Sequence, residues 1–88
     1  MISKVYTVHI DYLSNPKNPS SYYLSMEYAD IAFTSLKKAL SYLDMIKKAL
    51  TKDEKQVLVS EADKEFTLYT VNPQPLYRRF YIRELKTV

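Results

Sequence analysis

Residues 35–50 read SLKKALSYLDMIKKAL, a segment whose apolar side chains repeat with the period of an α-helix. The apolar stripe is formed by Leu36, Ala39, Leu40, Leu43, Ile46 and Leu50, and the polar residues fall elsewhere around the helix. Thr34 or Ser35 supplies the N-cap oxygen. One helix with one apolar stripe needs one sheet face to cover it, so the neighbouring segments should form a single sheet.

Two strands are predicted before this helix. Residues 5–13 alternate, with one face formed by Tyr6, Val8, Ile10 and Tyr12 and the other by Val5, Thr7, His9 and Asp11. Residues 14–20 hold two prolines and two asparagines and are predicted to be a loop. Alternation resumes at Tyr22 and changes register across residues 29–31, where we expect a kink, bulge or turn.

The segment that follows the helix allows two interpretations. Residues 51–54 have the spacing of a capping box, which would begin a second short helix. The β-branched run at residues 57–59 favours a strand instead. We adopt a strand at 56–61, a turn at 62–64 and a hairpin partner at 66–71, although 51–65 could still hold the helix.

The final strand is predicted at 77–85, after a loop at 72–75. Phe80 and Ile82 share one of its faces, and Arg79, Tyr81 and Arg83 share the other. The predicted fold is therefore α+β, a single domain over residues 1–88 in the order β-β-α-β-β-β. One antiparallel sheet carries the helix on one face and leaves much of the other face open.

Composition excludes most chemistries that can be recognised from motifs. The 88 residues contain no glycine and no cysteine, and His9 is the single histidine. Glycine-rich phosphate loops and the usual zinc sites are therefore excluded, and we expect no cofactor and no metal. The N-terminus carries no signal-peptide core, and no apolar run approaches the length of a membrane span. We therefore expect a cytoplasmic protein with no membrane association.

Two clusters of polar residues are candidates for a catalytic or a metal site. His9 and Asp11 emerge on the same face of the first strand, within possible hydrogen-bonding reach, as an acid–base pair would. They lack a nucleophile and an oxyanion loop, and solvent-facing polar residues explain them equally well. Glu61, Asp63 and Glu65 cluster at the predicted hairpin tip, where an acidic turn is usually just solvated. We expect a protein that is not an enzyme.

Tyrosine is the residue in excess, with nine in the chain. Tyrosine and arginine are enriched at the residues that dominate protein–protein binding. Combined with an open sheet face and free sheet edges, this composition predicts contact with a protein partner or self-association as a homodimer. The candidate contact residues are Tyr23, Tyr69, Arg79, Tyr81 and Arg83.

A nucleic-acid-binding module is the alternative. Arg79, Tyr81 and Arg83 offer cations for a phosphate backbone and a ring for a base. The net charge is only +3, however, and the lysines of the helix should lie on the opposite side of the molecule from this strip. Two separated basic patches argue against one continuous groove.

The segment Phe33-Thr34-Ser35-Leu36-Lys37-Lys38-Ala39 and the final aromatic strand Phe80-Tyr81-Ile82-Arg83-Glu84-Leu85 are similar to elements of small uncharacterised proteins of bacteria and their phages. Those proteins pair a Tyr/Val-rich first strand with a helix that a Phe-x-Ser sequence introduces. The resemblance implies an accessory protein of a phage or other mobile element that acts by binding. It carries no established activity.

Overall fold

The structure is a computed structural model that describes residues 3–14, 22–71 and 75–87. It confirms the predicted α+β fold and the order β-β-α-β-β-β. The elements are β1 (Ser3–Leu13), β2 (Tyr22–Phe33), α1 (Leu36–Leu50), β3 (Gln56–Ala62), β4 (Glu65–Thr70) and β5 (Leu76–Thr87).

The five strands form one antiparallel sheet in the order β2-β1-β5-β4-β3. The first and last strands of the chain therefore pair at its centre, and β2 and β3 are its edges. Residues directly opposite each other in an antiparallel pair point to the same face. Ile10 lies opposite Phe80 on one face, and Asp11 lies opposite Arg79 on the other.

The core lies between α1 and one face of this sheet. Its buried apolar residues are Val8, Ile10, Leu43, Ile46, Phe66, Leu68 and Phe80. Phe66 and Phe80 stack with their ring centroids 4.9 Å apart. Within the predicted helical stripe, Ala39, Leu43 and Ile46 are buried. Each such aliphatic or aromatic side chain contributes about 1.5–3 kcal/mol when it leaves water.

Ser35, rather than Thr34, is the N-cap of α1, and its Oγ accepts a hydrogen bond from the Lys38 backbone N–H at 3.4 Å. At the other end, the Thr51 backbone N–H and hydroxyl both donate to the Lys47 carbonyl, at 3.0 and 2.7 Å. Residues 51–55 then form turns, so the alternative of a second helix is wrong. The β-branched run that follows is the strand β3.

Both edge strands are irregular, and the pairing of β2 with β1 shifts register twice, once between the pairs Tyr12–Leu24 and Leu13–Tyr22. Between the pairs Thr7–Ala32 and His9–Glu27, β1 has one residue whereas β2 has residues 28–31. This confirms the irregularity predicted at 29–31. In β3, the register with β4 shifts between Leu58 and Ser60, which marks a bulge. The β3–β4 hairpin closes through a turn at residues 63–64, as predicted.

Among the described residues, no helix has the length and apolar character that crossing a membrane requires.

Candidate binding surface

The far face is our name for the sheet face opposite α1. Strand alternation and register place Tyr69 of β4 and Arg79, Tyr81 and Arg83 of β5 on it together. Tyr23, the fifth predicted contact residue, belongs to β2, and its side chain lies outside the described residues. Within residues 3–14, 22–71 and 75–87, no helix or strand lies over the far face.

Asp11 is the centre of a hydrogen-bond network on the far face. Arg79 Nη2 donates to Asp11 Oδ2 at 2.7 Å, and the same contact is an ion pair. The Ser25 hydroxyl donates to Asp11 Oδ1 at 2.6 Å, and the Tyr81 hydroxyl donates to the same oxygen at 3.2 Å. The network therefore ties together β2, β1 and β5, the edge and the centre of the sheet.

These partners change the acidity of Asp11. Burial alone would raise the pKa of its carboxyl, because a charged group is less stable away from water. The hydrogen bonds from Ser25 and Arg79, the charge of Arg79 and the hydrogen bond from Tyr81 outweigh that effect. The pKa of Asp11 is consequently held below its ordinary value, and the carboxylate is the form that the network stabilises.

His9 and Asp11 do not form the predicted solvent-facing pair. His9 is 8% exposed and Asp11 is 6% exposed. His9 Nε2 lies 3.0 Å from Thr7 Oγ1 in a buried hydrogen bond, and Asp11 instead meets Arg79, Ser25 and Tyr81. The reason is the length of the β5 side chains, which reach across β1 and cover its shorter residues. The Tyr81 ring stacks on His9 at 5.7 Å.

A row of tyrosine and arginine side chains lies on the far face, and two of its members, Arg79 and Tyr81, contact the buried residues. The tyrosine–arginine row consists of Tyr69, Tyr77, Arg79, Tyr81 and Arg83. The Arg79 guanidinium carbon lies 5.8 Å from the centroid of the Tyr81 ring, and the rings of Tyr69 and Tyr77 lie 4.6 Å apart. No buried side-chain nitrogen or oxygen of the described residues lacks a hydrogen-bond partner.

Tyr77 is the member of the row that sequence reasoning missed. It precedes Arg79 by two residues, so the same strand alternation that grouped Arg79, Tyr81 and Arg83 also places Tyr77 with them. Its contact with Tyr69 depends on the pairing of β4 with β5, in which the two residues lie opposite each other.

The far face is not a basic patch. Arg79 and Arg83 are its described cations, whereas its described anions are Asp11, Glu27 and Glu65. The charge of Arg79 is already paired with Asp11. A strip that binds phosphates electrostatically needs cations that are free to replace counterions, and here Arg83 alone fits that description.

The lysines of α1 lie on the other side of the sheet. Lys47 forms ion pairs with Glu61 and with Asp44, and Lys48 binds Asp44 at 2.9 Å. The hydrogen bond to Glu61 raises the pKa of Lys47, and the hydrogen bond from Lys48 lowers the pKa of Asp44. Because Lys47 and Lys48 are paired in this way, they add little to a basic surface.

Glu61, Asp63 and Glu65 lie at the hairpin tip that the sequence predicted. Glu61 is bound to Lys47, and no group of three or more potential ligand residues in the described part of the chain is arranged to hold a metal ion.

A scan against protein-family models, a search of curated proteins and a search of solved structures each returned no match to this chain. The resemblance to small bacterial and phage proteins therefore stays a prediction.

Proposed function

We propose that this chain is a non-enzymatic binding protein that contacts another protein through the tyrosine–arginine row. The observation that supports the proposal is that Arg79 and Tyr81 are held in place by Asp11 on a sheet face that no described element covers. Tyrosine and arginine are the residue types that most often dominate binding. Side chains that are already ordered lose less conformational entropy when a partner arrives.

The proposal also covers the location, the origin and the partner of the protein. We also propose that the protein is cytoplasmic. Its helix start and final strand resemble those of small phage and bacterial proteins, which supports the proposal that it is a phage or mobile-element accessory. It needs no cofactor in this role, and the partner is a protein surface with groups that complement tyrosine rings and an arginine.

The proposal is tested by affinity capture from a lysate of the native host with the full-length protein as bait. Tyr69→Ala combined with Arg83→Ala changes the row without touching the Asp11 network, so the variant should remain folded. Lys37→Ala combined with Lys38→Ala, on the exposed side of α1, is the matched control. We expect a protein that the wild type and the control retain and that the row variant loses. Equal recovery by all three baits, or recovery of nothing, contradicts the proposal.

Nucleic-acid binding remains the second candidate, and the observation in its favour is the stacking of Arg79 on Tyr81. The pairing of Arg79 with Asp11 weakens it, because that cation is already neutralised.

A further inference from the structure

The central strand β5 extends beyond the strand that pairs with it on one side. Its pairing with β1 covers residues 77–87. Its pairing with β4 ends at Tyr81, after which the Ile82 backbone N–H donates to the Lys64 carbonyl at 3.0 Å. The β3–β4 hairpin turns back at this point. Within the part of the chain that the structure describes, no strand pairs with the hairpin side of residues 83–87, which we call the free edge.

The free edge presents backbone groups at a regular spacing. In an antiparallel pair, alternate residues direct their N–H and C=O groups to the same neighbouring strand. Because Ile82 bonds toward the hairpin, Glu84 and Lys86 direct their backbone groups to the same side. Residues 83–86 are all exposed, so an added strand can reach these groups.

The two outer edges of the sheet are less suitable for an added strand. The register of β2 against β1 shifts twice, and that of β3 against β4 shifts once. Such irregularities bend a strand and turn its edge away from a potential partner. The pairing of β5 with β1 has no register shift, so the free edge continues a regular strand.

The free edge begins beside the tyrosine–arginine row. A cleft of about 550 Å³ lies where the free edge meets the hairpin, and it is lined by Ala62, Asp63, Lys64, Glu65, Tyr81 and Ile82. Tyr81 therefore belongs to both the row and the cleft, and Arg83 belongs to both the row and the free edge. A segment bound along the free edge would contact the row directly.

We propose that the partner protein adds a short extended segment to the free edge as an antiparallel strand, with acidic side chains beside Arg83 and Lys86. The inference rests on the function proposed above and names how the partner binds there. The backbone groups of Glu84 and Lys86 hold the segment, and its alternate side chains provide specificity. The antiparallel direction is the slightly more stable of the two.

The charges along the free edge favour an acidic segment. Arg83 lies on the far face and Lys86 on the face that carries α1, and neither forms an ion pair with another described residue. Glu84, the one anion of residues 83–87, already pairs with Lys4 at 3.4 Å. Each face of the free edge therefore offers one unpaired cation to a carboxylate of the partner.

A second copy of this chain is a poorer occupant. Pairing of two free edges would bring the Arg83 and Lys86 side chains of both copies into one short interface. Like charges that meet at an interface oppose binding, and the net charge of +3 on each chain adds to this repulsion. An acidic segment of another protein neutralises the same cations.

Hydrogen exchange measured by NMR tests the free edge without any partner. The amides of Glu84 and Lys86 should exchange faster than those of Arg83 and Leu85, which face β1. Equal protection of all four amides would mean that the edge is already covered, and it would overturn the proposal.

A library of linear peptides displayed on phage, selected on the wild-type protein, tests the chemistry of the partner. We expect acidic peptides to be enriched, and a selected peptide to shift the amide resonances of Glu84 and Lys86 and to slow their exchange. Enrichment of no peptide, enrichment of basic peptides, or resonance shifts confined to β2 or β3 overturns the proposal.

Lys86→Pro isolates the backbone contact. Proline removes the N–H that points away from β1, a position at which edge strands accept proline. Lys86→Ala, the matched control, removes the same charge and keeps the N–H. We expect Lys86→Pro to bind a selected peptide at least about tenfold more weakly than Lys86→Ala, with the circular dichroism spectra of both unchanged. Equal affinities of the two variants overturn the proposal.

Arg83→Glu tests the charge contact without altering the backbone. Because it reverses the cation on the far face, it should weaken binding of a selected acidic peptide at least about tenfold. An unchanged affinity would contradict the proposed acidic partner even if Lys86→Pro did not fold.

The lysate capture separates failure of this inference from failure of the proposed function. A captured protein that the row variant loses and Lys86→Pro retains leaves the proposed function standing and overturns the added strand. Recovery of nothing by any bait contradicts the proposed function itself. Self-association of the purified protein that Lys86→Pro abolishes, measured by sedimentation equilibrium, would identify a second copy as the occupant and would also overturn the inference.

Discussion

The two faces of this sheet are both buried at their centre, but different interactions hold them. Under α1, Leu43 and Ile46 pack on Phe80 and its apolar neighbours, and stability depends on how well the volume is filled. On the far face, Asp11 is covered by side chains of the sheet itself and is held by hydrogen bonds and an ion pair. Small sheets with one helix can therefore bury a second centre without a second layer, provided that its polar groups are paired.

Truncation of a buried side chain under α1 should lower the free energy of unfolding more than any other substitution considered. Leu43→Ala should lower the free energy of unfolding by about 2–5 kcal/mol, because a buried leucine is replaced by a cavity. Met45→Ala is the matched control on the same helix, since Met45 is 56% exposed. Urea denaturation followed by circular dichroism measures both. A loss under about 0.5 kcal/mol for Leu43→Ala would mean that this stripe faces solvent.

On the far face, stability should depend on the hydrogen bonds of Asp11 rather than on how well apolar side chains fill the space. Asp11→Ala removes the acceptor of three part-buried hydrogen bonds, from Arg79, Ser25 and Tyr81, and should cost about 1–3 kcal/mol. Glu27→Ala, an exposed carboxylate from the same face, should change the free energy of unfolding by no more than about 0.5 kcal/mol. The same urea titrations distinguish the two.

Equal, small effects of the two substitutions would show that the network contributes nothing to stability. The far face would then be an ordinary solvated surface, and the preordering that supports the proposed function would be lost with it.

The stability contributions of the two faces should also differ in their dependence on pH. The pKa of Asp11 is lower in the folded protein than the roughly 3.9 of an unfolded chain. Its contribution to stability is therefore complete above that ordinary pKa and is lost as the pH falls through the folded-state pKa. The destabilisation caused by Asp11→Asn should be largest near neutral pH and should shrink as the pH is lowered from about 5 to 2.

Urea midpoints measured at several pH values provide that comparison, and Leu43→Ala is the control. Its destabilisation involves no titrating group and should stay nearly constant over the same range. An Asp11→Asn effect that grows on acidification would contradict the lowered pKa.

The sequence predicted what local patterns determine. The stripe at Leu43 predicted the helix and its buried side, and the alternation around Phe80 and Arg79 sorted β5 into its two faces. The β1–β5 pairing at the centre could not be predicted, since a strand pattern does not encode its partner across the chain. The burial of His9 and Asp11 follows from that pairing, because it brings Arg79 and Tyr81 over them. That is why the prediction of a solvent-facing pair was wrong.

The smallest expected effect is on nucleic-acid binding. It compares Arg79, which is paired with Asp11, with Arg83. Binding to a single-stranded oligonucleotide, measured by fluorescence anisotropy, should be weak at physiological salt, with a dissociation constant of about 10⁻⁴ M or poorer. Arg83→Ala should shallow the logarithmic salt dependence by about 0.7, the value of one phosphate contact. Arg79→Ala should change it less, because that guanidinium is already bound to Asp11. Submicromolar, salt-sensitive binding that disappears in Arg79→Ala and Arg83→Ala would instead identify the tyrosine–arginine row as a nucleic-acid surface, with its cations free enough to displace counterions.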